Sequence, residues 1–315
     1  MNIRQFFPLM AITSLLLVHL PSGSAAAACP SLRLTPCARA TAGQIELLGR
    51  SPHDLEREQS LFVEWSKIPH TLFKMNFPEA IISLGRLGSA RASGFVYVRK
   101  LQWRPHGTDG WKFDVPLKTD IPSPFPPGVA PDLCRIRGWI TPAEDHIDLR
   151  LQLTNQTGQT LEPLSLFVCT GRNLGATAER LVTRDYFLRD GGFLPWEPQE
   201  AQFTFGPARI AALTEKGWQQ FKWFADRGHI PPVKAHPAAD GCRAAVVQHD
   251  GKEYVVGFTS DDAVILGGKS SNPCQDLSLG FGPLQPGESA EVRARWWFLE
   301  GGLDELLTRL NVSNP

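Results

Sequence analysis

Residues 146–154 set the pattern of this chain. Ile147, Leu149, Leu151 and Leu153 fall on one side, and Asp148, Arg150 and Gln152 on the other. A period of two places the two sets on opposite faces of a half-buried strand. The same reasoning predicts strands at 95–103 and 111–117, joined by a turn at Gly107-Thr108-Asp109-Gly110. It also predicts a return strand at 161–169 after a turn at 155–158. The clearest hairpin joins 244–248 to 254–259, because Asp250-Gly251 supplies the positive φ angles of a tight two-residue turn. A late strand is predicted at 290–299, behind Pro286-Gly287-Glu288. Gly (28) and Pro (26) are spread along the whole chain, which suits many strands joined by turns.

Helical signal is sparse. Leu303, Leu306, Leu307 and Leu310 follow i, i+3, i+4, i+7, with Asp304 and Glu305 in the first turn, where they suit the helix dipole. Residues 215–224 form a second candidate, with Trp218, Phe221 and Trp223 as its apolar surface. The charged stretch 53–60 reads as a helical turn or a loop. These elements imply an all-β fold: a large antiparallel β-sandwich with one or two short helices, one of them C-terminal. A single sandwich domain is expected over 29–315. The candidate seam is 121–131, which holds five prolines and one glycine and reads as extended linker or loop. A second proline-rich stretch, 230–237, reads as a surface loop.

The first residues change the picture. Arg4 precedes an apolar run over 6–20, then Pro21-Ser22-Gly23-Ser24 and four alanines at 25–28. That order is the order of a signal peptide over 1–28, so an exported protein, periplasmic or secreted, is expected. A run of about 15 residues is short of the roughly 20 that a spanning helix needs. Cys29 follows the small residues and raises lipid attachment as a variant, against which Ala26 stands where a larger aliphatic residue is usual.

Lys plus Arg (32) equals Asp plus Glu (32), so no global field draws in nucleic acid or an anionic membrane. Six cysteines, Cys29, Cys37, Cys134, Cys169, Cys242 and Cys274, make disulfides plausible in an exported chain. Cys29 and Cys37 are close enough in sequence to close a small loop. No CxxC or Cys/His ligand spacing exists, so no metal ligand and no cofactor is assigned. The chain has no GxSxG, HExxH, Walker loop or GxGxxG opening a helix. The carboxylate pairs Glu144-Asp145, Asp261-Asp262 and Glu197 with Glu200 read as turns or caps. Asn155-Gln156-Thr157 and Asn311-Val312-Ser313 match the N-glycosylation pattern.

The densest polar segment is 172–189. Arg172, Asn173, Arg184, Asp185 and Tyr186 lie in it, and Trp196 follows. Arg offers a rigid fork, and Tyr and Trp offer faces on which a sugar stacks. His229 stands before the second proline-rich loop, where binding residues tend to sit. Asn272 and Asp276 belong to a second polar spot at 270–276. These nine residues are the candidate ligand set. The expected role is non-catalytic binding of carbohydrate, an anionic or polyhydroxyl ligand. The alternatives are a sugar-active enzyme of epimerase or lyase type using His229 with a carboxylate, and a protein-interaction or structural module.

The second half carries a likeness. Its marks, in order, are Leu149-Arg150-Leu151-Gln152-Leu153-Thr154-Asn155, the strand at 161–169, Asn272-Pro273-Cys274, Gly282-Pro283-Leu284-Gln285-Pro286-Gly287-Glu288 and Gly302-Leu303-Asp304-Glu305-Leu306-Leu307. In this order they resemble exported bacterial β-sandwich proteins and, more remotely, the galactose-mutarotase-like supersandwich, over residues 134–310. The resemblance implies a large antiparallel sandwich and carbohydrate as the ligand class. The mutarotase catalytic histidine and glutamate map onto no position of this sequence.

Overall fold

The computed structural model describes residues 31–48, 59–82, 95–99, 101–119, 134–172, 183–196, 203–204, 209–228, 239–269 and 272–313. The chain begins with β1 (Leu32–Pro36), the helix α1 (Ala42–Leu48), β2 (Leu61–Trp65), β3 (Leu72–Ile82), β4 (Phe95–Arg99), β5 (Arg104–His106), β6 (Gly110–Pro116) and β7 (Lys118–Thr119). It continues through β8 (Cys134–Pro142), β9 (His146–Asn155), β10 (Leu164–Arg172), β11 (Thr183–Arg189), β12 (Gly192–Pro195), β13 (Phe203–Thr204) and β14 (Arg209–Leu213). Helix α2 (Glu215–Asp226) follows, then β15 (Cys242–His249), β16 (Lys252–Thr259), β17 (Ala263–Lys269), β18 (Asn272–Phe281), β19 (Ser289–Glu300) and α3 (Leu303–Ser313).

The strands form two antiparallel sheets. The first runs β1-β2-β3-β10-β18-β17-β14-β13, with β4 against the far half of β3 and β7 against β4. The second runs β12-β11-β15-β16-β19-β9-β8-β6-β5. Both sheets draw strands from each side of 120–133, although the candidate seam itself lies outside the described residues. So do the expected leader at 1–28, Cys29 and the stretch 53–58.

The alternation of β9 explains the layering. Ile147, Leu149, Leu151 and Leu153 are all buried, in one core with Leu166 and Val168 of β10 and Leu277 and Leu279 of β18. Aromatic rings fill the centre between the sheets. Phe73 meets Phe298 edge-on at 5.3 Å, and Trp65 meets Phe298 at 5.5 Å. Such pairs add about 0.5–1.5 kcal/mol each beyond the area they bury.

Each helix of the second half seals an outer face. Helix α2 starts at Thr214, whose hydroxyl accepts from the Gly217 N–H. Its Phe221 and Phe224 pack on Ile82, Phe167, Val264 and Ile265 of the first sheet. Helix α3 lays Leu306 on Cys242, Ala244, Val255 and Trp297 of the second sheet. Gly257 makes that seat possible, since a Cβ there would stand 2.4 Å from Leu306.

Several expectations hold. The hairpin β15–β16 turns at Asp250 (φ 50) and Gly251 (φ 72). The strand expected at 290–299 is β19, and both predicted helices form. Two others are corrected. The strand expected at 95–103 ends at Arg99 as β4 of the first sheet; 101–103 are irregular, and β5 of the second sheet starts only at Arg104. Gln59 takes the Leu101 N–H (2.6 Å) through its amide oxygen and the Trp103 indole N–H (2.7 Å) through its backbone carbonyl, so the hairpin partner of β6 is only the short β5, with β8 on its other side. The turn at 155–158 does not close a hairpin, because β9 lies in the second sheet and β10 in the first. Asn155 builds the crossing: its amide donates to the carbonyls of Gln159 and Leu284, and its oxygen accepts from Thr157. Asn155 is therefore fully buried, and the first glycosylation match is closed in the folded protein. Finally, no disulfide joins any two of the five described cysteines, which are distributed over both sheets and the turn after β1.

Candidate functional site

The polar face of β9 is the starting point. Register places it beside β19 and β8: Asp148 pairs with Arg295 and Thr141, Arg150 with Arg293 and Trp139, and Gln152 with Glu291 and Arg137. All of these positions face outward, since the alternate residues fill the core. Helix α3 covers the part of this outer face over β15 and β16 and stops at β19. What remains is a groove of about 860 Å³, bounded by Trp139 on β8, the turn Asp240-Gly241, the turn at Ser260-Asp261 and Leu310 of α3.

The floor of the groove is a mesh of paired charges. Arg295 donates to Asp148 at 2.9 Å. Arg293 donates to Glu291 at 3.0 Å, and Arg150 approaches Glu291 at 3.7 Å. The Arg150 guanidinium stacks on the Trp139 ring at 3.9 Å, and that of Arg295 lies 5.0 Å from the Trp297 ring. Trp297 is fixed by its indole N–H, which donates to Thr259 at 3.1 Å. Beneath the mesh His146 sits against Trp297, with ring centroids 4.8 Å apart. Its Nδ1 is 2.7 Å from Asp145 and its Nε2 is 3.4 Å from Asp148. Burial works against charge on this imidazole, but the contacts with Asp148 and Asp145 outweigh it and hold the pKa above the ordinary value. The contact with His146, with help from Arg295 and against burial, pulls Asp148 below the usual carboxylate range.

Among the described residues, the candidates Arg184, Asp185, Tyr186, Trp196 and Asp276 fall in three separate places. Asp185 and Trp196 come together on the inner side of the second sheet, around a residue that the sequence did not single out. The Arg243 side chain is fully buried, stacks on Trp196 at 4.0 Å, reaches Asp185 at 3.6 Å and donates to the Gly267 carbonyl at 2.5 Å. The signal was present, as one arginine in the strand Cys242-Arg243-Ala244-Ala245-Val246-Val247. Arg184 and Tyr186 point to the opposite, outer side, where they line a smaller hollow of about 480 Å³ with Glu253 and Asp304. Asp276 belongs to the first sheet and lies within 4.8 Å of the Cys169 and Cys274 sulfurs, a set able to hold a metal. Arg172 and Asn272 are backbone positions on β10 and β18. Asn173 and His229 lie outside the described residues. The groove residues were legible as the polar face of β9, but their convergence required the β8 and β19 registers.

The sequence matches no family model, and no curated protein matches it. Solved structures do share its outline. A galactose mutarotase related enzyme from Lactobacillus acidophilus is 10% identical at a TM-score of 0.36, over 78% of this chain and 91% of that one. A galactose mutarotase-like protein from Lactobacillus casei is 10% identical at a TM-score of 0.37, over 77% of this chain and 95% of that one. These structures and the resemblance in the sequence name the same group of proteins. At these values no residue role, ligand or reaction passes to this chain from them. No described helix is long and apolar enough to cross a membrane.

Proposed function

We propose that the protein binds carbohydrate, in the form of a neutral oligosaccharide, in the groove on the outer face of the second sheet. The observation that supports this reading is the pairing across β8, β9 and β19. Arg295 with Asp148, and Arg150 and Arg293 with Glu291, alternate donors and acceptors beside an indole ring. A sugar hydroxyl donates and accepts at once, so it matches a surface offering both. Carboxylates keep spare lone pairs and guanidiniums spare N–H groups after pairing with each other. A strongly anionic ligand finds less here, because each of these three guanidiniums already faces a carboxylate. The reading is of binding without turnover, and the support for it is that both ring nitrogens of His146 are engaged by Asp145 and Asp148, so that the imidazole orients Asp148.

The test is titration calorimetry with neutral oligosaccharides and, for comparison, uronic-acid oligomers. Saturable binding of a neutral sugar is expected. Removal of a charged hydrogen-bonding partner by Asp148→Ala or Arg150→Ala should weaken it by about tenfold or more. Arg184→Ala, in the separate hollow, should leave it unchanged. Absence of binding by every saccharide, or equal affinity in all three variants, would sink the proposal.

A further inference from the structure

A second site stands on the outer face of the first sheet, apart from the groove. Strands β10 and β18 pair so that Cys169 lies opposite Asp276 and Gly171 opposite Cys274. On the other side of β18, Gly267 of β17 lies opposite Asp276. The two thiols and the carboxylate therefore rise from adjacent strands on one face, and the flanking positions nearest to Cys274 and Asp276 carry no side chain. The two sulfurs and a carboxylate oxygen lie within 4.8 Å of one another. Asp276 is 7% exposed, whereas Cys169 and Cys274 are both partly open to solvent. Glu79 adds a further negative charge close enough to act on Cys169.

We propose that Cys169, Cys274 and Asp276 bind a thiophilic divalent cation of the zinc class as three protein ligands, with a fourth position open to solvent. Bonds of about 2.3 Å to sulfur and about 2.0–2.2 Å to oxygen set ligand separations of roughly 3.3–3.8 Å in a tetrahedron. The three atoms, now within 4.8 Å, need draw in by about 1.5 Å at most to meet those separations, a side-chain adjustment on a rigid sheet. Two thiolates select zinc-like ions over magnesium or calcium, which prefer all-oxygen shells. As each metal–sulfur bond forms, the thiol proton passes to solvent. A disulfide would use the same sulfurs but would leave the third ligand, Asp276, without a part. The sequence hides the site because its ligands come from two strands far apart in the chain.

The full chain, reduced and stripped of metal, tests this directly. Calorimetry with Zn²⁺ should show one equivalent bound. Added Zn²⁺ should also shield Cys169 and Cys274 together from alkylation in peptide mapping of the unaltered protein. Cys169→Ser with Cys274→Ser should abolish binding. Asp276→Asn should weaken it by at least the roughly 10–100-fold seen when a partner one shell further out is lost. Because the alkylation readout needs no variant, a misfolded mutant does not rescue the idea. Alkylation rates of both cysteines unmoved by Zn²⁺, or a Cys169–Cys274 disulfide whose reduction restores no Zn²⁺ uptake, would overturn it.

Discussion

His146 carries its consequences in its two contacts. Its folded pKa is raised, so the stability it contributes is fully present below the unfolded value of 6.5 and is lost as pH rises through the folded value. Asp148 is depressed, so its contribution is present above 3.8 and is lost as pH falls through the lower folded value. Both contributions are complete between those two pH values. Thermal melts of His146→Gln should therefore differ most from the parent protein in that window, and least once pH has risen past the raised folded value. The Asp148 side chain is 54% exposed, so screening limits the difference to about 0.5–1 kcal/mol. A difference that grows toward alkaline pH would show the sign to be wrong.

At the scale of elements, Gly217 separates propensity from packing. It lies in the first turn of α2, and on propensity alone Ala would stabilise a helix by about 1 kcal/mol. Here a Cβ would stand 1.9 Å from the Val264 carbonyl oxygen. Backbone cannot yield as a side-chain end does, so Gly217→Ala should destabilise by about 1–3 kcal/mol, read by urea denaturation. A gain in stability would mean that α2 sits less tightly on β17. The same contrast separates what was readable in the chain from what was not. Strand β9, the Asp250-Gly251 hairpin and α3 are written in local periodicity and turn chemistry, and each appears where expected. Helix α1 is likewise written locally: Thr41 and Gln44 cap each other reciprocally, N–H to Oε1 at 2.9 Å and N–H to hydroxyl at 3.3 Å. The change of sheet between β4 and β5 was not legible, since it depends on the distant Gln59. Nor was the cluster at Arg243, whose partners come from β11, β17 and Trp196. Local pattern gives faces, whereas the meeting of faces is set by pairings that sequence spacing does not encode.

At the scale of the molecule, the order of the second sheet matters most. Strand β19 is its middle strand, held between β16 and β9. It is also the last strand among the described residues. A chain ending at Glu288 would keep β12-β11-β15-β16 and β9-β8-β6-β5 as two pieces, each with a long bare edge. Such a chain should show no cooperative urea transition and no near-ultraviolet circular dichroism, and a sharp transition would contradict the topology. For a ribosome adding about 5–20 residues per second, the keystone follows its partner β9 only after roughly 7–30 s of further synthesis. Through all that time the nascent polypeptide presents unpaired strand edges to whatever surrounds it. Its yield in the cell is then governed less by final stability than by what holds those edges while it waits.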